Sequence, residues 1–191
     1  MIDIIKLPFE FDPAKLKEDL SKIREDEWTP HFNTSTYEGD WSGVALKAPV
    51  GAVHPIQKLN PNPGIIDYAD TDILERCEYF KSVLANFLCP LKSVRLLKLK
   101  PGSVIKEHTD FFLAFEEGEA RIHIPVQTNP ELYFYLKGER VIMNEGETWY
   151  LNFNLKHSIE NHGNTDRVHL VMDCEVNNWL KELFMTADSH K

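Results

Sequence analysis

The chain has 191 residues, 42% of them hydrophobic and 27% charged, which suits one domain with an ordinary packed core and leaves too little length for a second full domain. Its 30 acidic residues against 21 basic ones give a formal net charge of −9, and no Lys/Arg cluster occurs, so nucleic acid would meet repulsion rather than a steering field. Asp3 and Lys6 interrupt Ile4, Ile5 and Leu7, no apolar stretch approaches a membrane span or a signal-peptide core, and the expected compartment is the cytoplasm.

Asp12 and Pro13 make a cap and first-turn pair, after which Leu16, Leu20 and Ile23 recur at helical spacing, predicting a short amphipathic helix. From His31 to Tyr68 the chain is rich in Pro, Gly and Asn; its strand-like piece is Trp41 to Leu46, and the rest reads as loop. Asp72 with Glu75 predicts the cap of a second helix, with Leu74, Cys77, Leu84 and Leu88 on one stripe up to Pro90. Cys77, Cys89 and Cys174 form an odd set without CxxC spacing and are expected to be reduced, buried thiols without chemistry.

Beyond Pro90 the texture changes to short runs dense in Val, Ile, Tyr and Phe, divided by turn pairs such as Pro101-Gly102, Lys137-Gly138 and Glu145-Gly146. The expected strands are Val94 to Leu99, Val104 to His108, Arg121 to Val126, Leu132 to Leu136, Arg140 to Met143, Thr148 to Phe153 and Val168 to Asp173. Such spacing predicts a mainly β sandwich or barrel, flanked by the two helices before it and a third over Asn177 to Phe184. The single domain divides into a helical and loop part (1–92), a β-barrel core (93–174) and a C-terminal helix and tail (175–191).

His108-Thr109-Asp110 follows an apolar strand, and residues two apart on an extended chain face the same way, which suits two ligands of one metal. Chance alone supplies roughly 0.5 such tripeptides in a chain of this composition, so the company matters. His157 lies at the end of the strand Thr148 to Phe153 and completes two imidazoles and a carboxylate, a set that leaves open positions for oxygen-activating iron(II), with zinc an alternative. Arg167 opens an apolar strand, where a guanidinium needs an anion: a carboxylate co-substrate clamped in two hydrogen bonds, or a nearby Asp or Glu. Arg121 and His123 share a face opposite Ile122 and Ile124, so they either line a cavity or form the solvent face of an edge strand.

Pro101-Gly102, His108-Thr109-Asp110, Arg121-Ile122-His123, Gly146-Glu147-Thr148-Trp149 and His157 followed by Arg167 together resemble the aspartyl/asparaginyl β-hydroxylase family, which includes bacterial free-proline hydroxylases. The resemblance spans Val94 to Asp173 and implies a double-stranded β-helix, a cupin-like jelly roll, that uses Fe(II) and 2-oxoglutarate to hydroxylate an unactivated C–H bond, releasing succinate and carbon dioxide. It implies that His108, Asp110 and His157 hold the metal, that Arg167 pairs with the distal carboxylate of 2-oxoglutarate, and that Arg121 and His123 meet its metal-chelating end. Arg95 is a further candidate for substrate or co-substrate contact. Some relatives that act on protein substrates lack the acidic ligand, where this chain has Asp110, and place a hydroxyl residue on the strand before the first histidine, where this chain has Leu97, with Ser103 further on. The expected substrate is small or peptidic and amino-acid-like, with His31 to Gly64 and Phe111 to Glu119 as candidate lid segments. The rival readings are a non-catalytic cupin-like module that binds a metal and a small acid, and a metal-free β-sandwich interaction protein.

Overall fold

A computed structural model describes residues 2–60 and 64–188. Strands β1 (Ile4–Glu10), β2 (Thr29–Pro30), β3 (Tyr37–Glu38), β4 (Trp41–Pro49), β5 (Tyr68–Asp70) and β6 (Leu91–Leu99) are followed by β7 (Val104–His108), β8 (Glu119–Gln127) and β9 (Leu132–Leu136). Then come β10 (Glu139–Val141), β11 (Glu147–Leu151), β12 (His157–Asn161) and β13 (Arg167–Glu175). Between and after them lie helices α1 (Pro13–Ser21), α2 (Pro55–Leu59), α3 (Asp72–Glu75), α4 (Glu78–Leu84) and α5 (Asn178–Asp188).

The strands form two antiparallel sheets. The larger runs β1-β11-β8-β13-β6-β4-β2, with β5 on the flank of β4, and the smaller runs β10-β9-β12-β7-β3. Their facing surfaces enclose a core that includes Leu99, Ile105, Phe134, Leu151 and Ile159, giving the double-stranded β-helix. On the opposite face of the larger sheet, Leu96, Ile122, Ile124, Leu170 and Met172 pack with Leu16 of α1, Phe80 of α4 and Phe184 of α5. Each such fully buried apolar side chain contributes about 1.5–3 kcal/mol. Both faces of β13 are therefore covered, and only its last residue is exposed.

The seven predicted strands are all present with ends moved by a few residues, and Trp41 to Leu46 lies inside β4. Three readings change. Ile4–Glu10 is a strand paired with β11: Ile5 and Leu7 are buried under the helices, while Lys6 points the other way to bond Glu147 at 2.8 Å, so the charge that seemed to interrupt the run belongs to its second face. The predicted helix from Asp72 to Leu88 is broken into α3 and α4. Asp19 of α1, 2% exposed, accepts the Phe80 N–H at 2.8 Å and so supplies a start for α4 from another element, while Leu88 is exposed. Finally, His157 does not close β11 but opens a separate strand, β12. Asp12 caps α1 as expected, accepting from Ala14 N at 2.9 Å. Among the described residues no helix is long and apolar enough to cross a membrane.

Candidate metal centre and acid-binding cavity

His108 and His157 stand directly opposite one another on the adjacent strands β7 and β12, with ring centroids 4.2 Å apart. Asp110 follows as the chain leaves β7, its backbone N–H tied to the Phe153 carbonyl at 2.9 Å. One ligand atom from each of the three lies within 4.8 Å of the others, the separation a single ion spans. Nδ1 of His108 meets the Lys106 carbonyl at 2.7 Å and Nδ1 of His157 meets the Leu155 carbonyl at 3.0 Å. A carbonyl only accepts, so both rings carry their proton on Nδ1 and keep the Nε2 lone pair for a ligand. Burial pushes His157 down to about 4, which leaves it neutral, as ligation requires.

Behind this set lies a charged network on the inner face of the larger sheet. Arg121 of β8 makes a two-pronged pair with Asp173 of β13, at 2.6 and 3.0 Å, and its third contact is Asp110 Oδ2 at 2.5 Å. Arg95 of β6 reaches the same Asp173 at 2.6 Å and the Leu59 carbonyl at 2.8 Å. Burial would raise the Asp173 carboxyl, but the guanidinium groups of Arg121 and Arg95 outweigh it and hold Asp173 below the usual aspartate value. Arg121 thus orients the metal-side carboxylate through a fixed pair, and Asp173, absent from the sequence-based set, anchors two of that set's arginines.

Arg167, at the start of β13, is 2% exposed, and among the described residues no acidic side chain pairs with it. Its NH2 group touches His169 Nδ1 at 3.0 Å, while its Nε is buried without a partner. Burial alone pushes the guanidinium down to about 9, so it is still a cation at neutral pH. His123, 3% exposed, stacks on Phe153 at 4.9 Å, and its Nδ1 lies 3.3 Å from His169 Nδ1. Burial, with Arg167 next, holds His123 well below its ordinary value. Neither Arg121 nor His123 is a solvent-facing residue of an edge strand, because β8 runs between β11 and β13.

The metal set, Arg121, His123 and Arg167 line one cavity of about 710 Å³. Leu97 also lines it, whereas the Ser103 hydroxyl is engaged elsewhere, accepting the Asp40 N–H at 2.8 Å. Gly43 keeps the floor open, since a Cβ there would stand 3.1 Å from both Leu59 Cδ2 and Leu97 Cδ2. Trp41 stacks on His31 at 3.7 Å, and burial pushes His31 down to about 4. At the mouth, Phe111 and Phe112 are 76% exposed, and Phe112 holds a positive φ of 61° immediately after the metal set. Of the two segments expected to form a lid, the first includes residues 61–63, which lie outside the described residues.

The sequence matches the aspartyl/asparaginyl beta-hydroxylase family over residues 10–176. It is 25% identical over 167 residues to the L-proline cis-4-hydroxylase of Rhizobium meliloti (strain 1021), covering 86% of this chain and 58% of that protein's length. The fold resembles the Pseudomonas putida prolyl-4-hydroxylase, with a TM-score of 0.55 at 11% identity over 92% of this chain and 93% of that one. It also resembles the viral collagen prolyl hydroxylase of Paramecium bursaria Chlorella virus-1, solved with 2-oxoglutarate, with a TM-score of 0.53 at 8% identity over 92% and 97% of the two chains. With the family match running across both sheets and through every residue of the His-Asp-His set, the chain belongs to the aspartyl/asparaginyl β-hydroxylase family.

Proposed function

We propose that this protein is an Fe(II)- and 2-oxoglutarate-dependent hydroxylase of a small amino-acid-like substrate, either a free amino acid or an Asp, Asn or Pro residue. The observation that carries the reading is Arg167: a buried cation without an acidic partner among the described residues, in the same cavity as two imidazoles and a carboxylate. Such a charge is costly unless an anion arrives to meet it, and a structural metal has no use for one. The donor set fits iron(II), having two neutral nitrogens, one carboxylate and open positions.

When bound, the metal and 2-oxoglutarate together supply the oxidative chemistry, ending in succinate, carbon dioxide and a hydroxylated product. The chain's own residues do the positioning. His108, Asp110 and His157, carried at strand ends and lining the cavity, would hold the metal. Arg167 clamps the distal carboxylate of the co-substrate with a rigid planar fork, and Arg121 holds Asp110 in place. The Trp41–His31 stack walls the cavity and limits the entry of water beside the substrate. Trp41, Ser93 and Arg95 line the same cavity, which favours a substrate with hydrogen-bonding groups, such as a free carboxylate. The Rhizobium relative makes L-proline the first compound to try.

The test is succinate formation with iron(II), ascorbate and 2-oxoglutarate against free amino acids and Asp-, Asn- or Pro-containing peptides, for the wild type and His157→Ala. Substrate-dependent succinate from the wild type alone supports the proposal. Turnover that survives the loss of His157 overturns it, and a protein that binds metal but never consumes 2-oxoglutarate with any substrate is the cupin-like binding module instead.

A further inference from the structure

Val168 to Met172 reads as a core strand, yet its second residue His169 is a fully buried imidazole that does not reach the cavity. Its Nδ1 is approached from two sides, by Arg167 NH2 at 3.0 Å and by His123 Nδ1 at 3.3 Å. A guanidinium nitrogen can only donate, so His169 Nδ1 must be the lone-pair nitrogen. It follows that His123 Nδ1 carries a proton and donates it to the same acceptor. The tautomers of both rings are thus fixed by one cation.

We propose that His169 is the positioning residue of the acid-binding end of the cavity: a single neutral acceptor that sets the guanidinium plane of Arg167 and the tautomer of His123 together. The inference rests on the reading of Arg167 as the co-substrate clamp. The remainder of Arg167 makes no hydrogen bond, so His169 is its one polar restraint among the described residues. Strand register reinforces this. Arg167 and His169 sit opposite Leu99 and Leu97 on β6, which offer nothing polar from their side chains. One further consequence concerns His123. With its proton on Nδ1, its Nε2 is a lone pair, buried and unpartnered beside the cavity, and it is matched by a hydrogen-bond donor rather than by a carboxylate.

The deciding measurement is calorimetric titration of 2-oxoglutarate, and separately of succinate, into anaerobic manganese(II)-loaded protein. His169→Leu should weaken both dicarboxylates about tenfold or more while leaving manganese(II) affinity unchanged, and His169→Gln, which keeps an acceptor, should bind within about threefold of wild type. A His169→Leu protein that binds as the wild type does, or a folded His169→Gln protein as weak as the Leu variant, overturns the proposal. Should the Leu variant not fold, ¹⁵N-histidine spectra of the wild type decide it alone: protons on Nε2 of His169 and Nδ1 of His123 are expected, and the opposite pair refutes it. A wild type that binds neither dicarboxylate would instead refute the functional reading of Arg167, and the spectra would still test the tautomers.

Discussion

Replacing Arg167 by Met should make the ligand-free protein more stable while abolishing its affinity for 2-oxoglutarate. Burial lowers the guanidinium well below its usual value, to about 9, which corresponds to about 5 kcal/mol of unfavourable burial of the charged form. That penalty is fully present at neutral pH, below the lowered folded value, and only pH above about 9 would begin to relieve it. Methionine fills much of the same volume without charge. The variant forfeits one charge-assisted hydrogen bond to His169, worth about 1.5–3 kcal/mol. The net expectation is a gain of about 2–3 kcal/mol, raising Tm by about 4–12 °C for a chain of this size. Conversely, 2-oxoglutarate at about 100 times its Kd should stabilise the wild type by about 2.7 kcal/mol and the variant not at all. Differential scanning calorimetry of both proteins with and without 2-oxoglutarate reads all four states. A Met variant less stable than the wild type by more than about 1 kcal/mol would refute the reasoning, because it would mean that the cation is satisfied within the protein.

Three other changes give independent checks. Asp173→Asn removes the shared partner of two buried arginines and should cost about 3–5 kcal/mol by urea denaturation, with a smaller additional loss when Arg95→Met is added than Arg95→Met causes alone; strict additivity would contradict the network. Gly146→Ala asks for a side chain at φ 82° whose Cβ would stand 2.1 Å from the Phe11 carbonyl oxygen, so a loss of about 2–4 kcal/mol is expected in the same assay, and a neutral result would mean that the β1–β11 corner yields easily. Glu147 is raised by burial but lowered more by Lys6, Asn144 and Trp149, ending near pH 2 against an ordinary 4.5. Its contribution is therefore present above about 4.5 and lost as pH falls through about 2. Glu147→Gln should flatten stability against pH across that window by about 1 kcal/mol, since Lys6 is partly exposed, and an unchanged acid limb would exclude the residue from it.

What could be read from the sequence was whatever repeats locally. Short runs dense in Val, Ile, Tyr and Phe between turn residues marked the strands from Val94 onward, and the residues that converge on the cavity were visible by type and order. The misses came from contacts made at long range. Asp173 sits at the end of an apolar run, and nothing nearby shows that Arg121 and Arg95, 52 and 78 positions earlier, meet on it. His169 was counted with its apolar neighbours because its partners are a guanidinium beside it and an imidazole on another strand. The helix from Asp72 looked continuous because its stripe is continuous; the break is made by the Asp19 carboxylate of α1, which takes the Phe80 N–H.

The same alternation that builds the core also builds the cavity, and this ties the two in register. On β13, Val168, Leu170 and Met172 enter the helix-covered core while Arg167, His169 and Asp173 face the smaller sheet; on β8, Ile122 and Ile124 are opposed in the same way to Arg121 and His123. A slip of one residue would drive three ionisable groups into the helix layer and three aliphatic side chains into the cavity, so each face enforces the register that the other needs. The irregularity lies where Val168 and His169 oppose Gln127 and Pro125, leaving Val126 as an extra residue on β8. Proline cannot donate to the ladder, and its carbonyl instead accepts from Gly146 N at 2.9 Å. The bulge thus falls beside Arg167 and His169, where β8 departs from the regular ladder while β13 stays regular against β6 through Val171. The acid-binding end is consequently held by β6 and by the His169 acceptor, whereas the metal end is held by β7, β12 and the Arg121–Asp173 pair. Perturbing the acid-binding end should leave the metal affinity measured without 2-oxoglutarate intact.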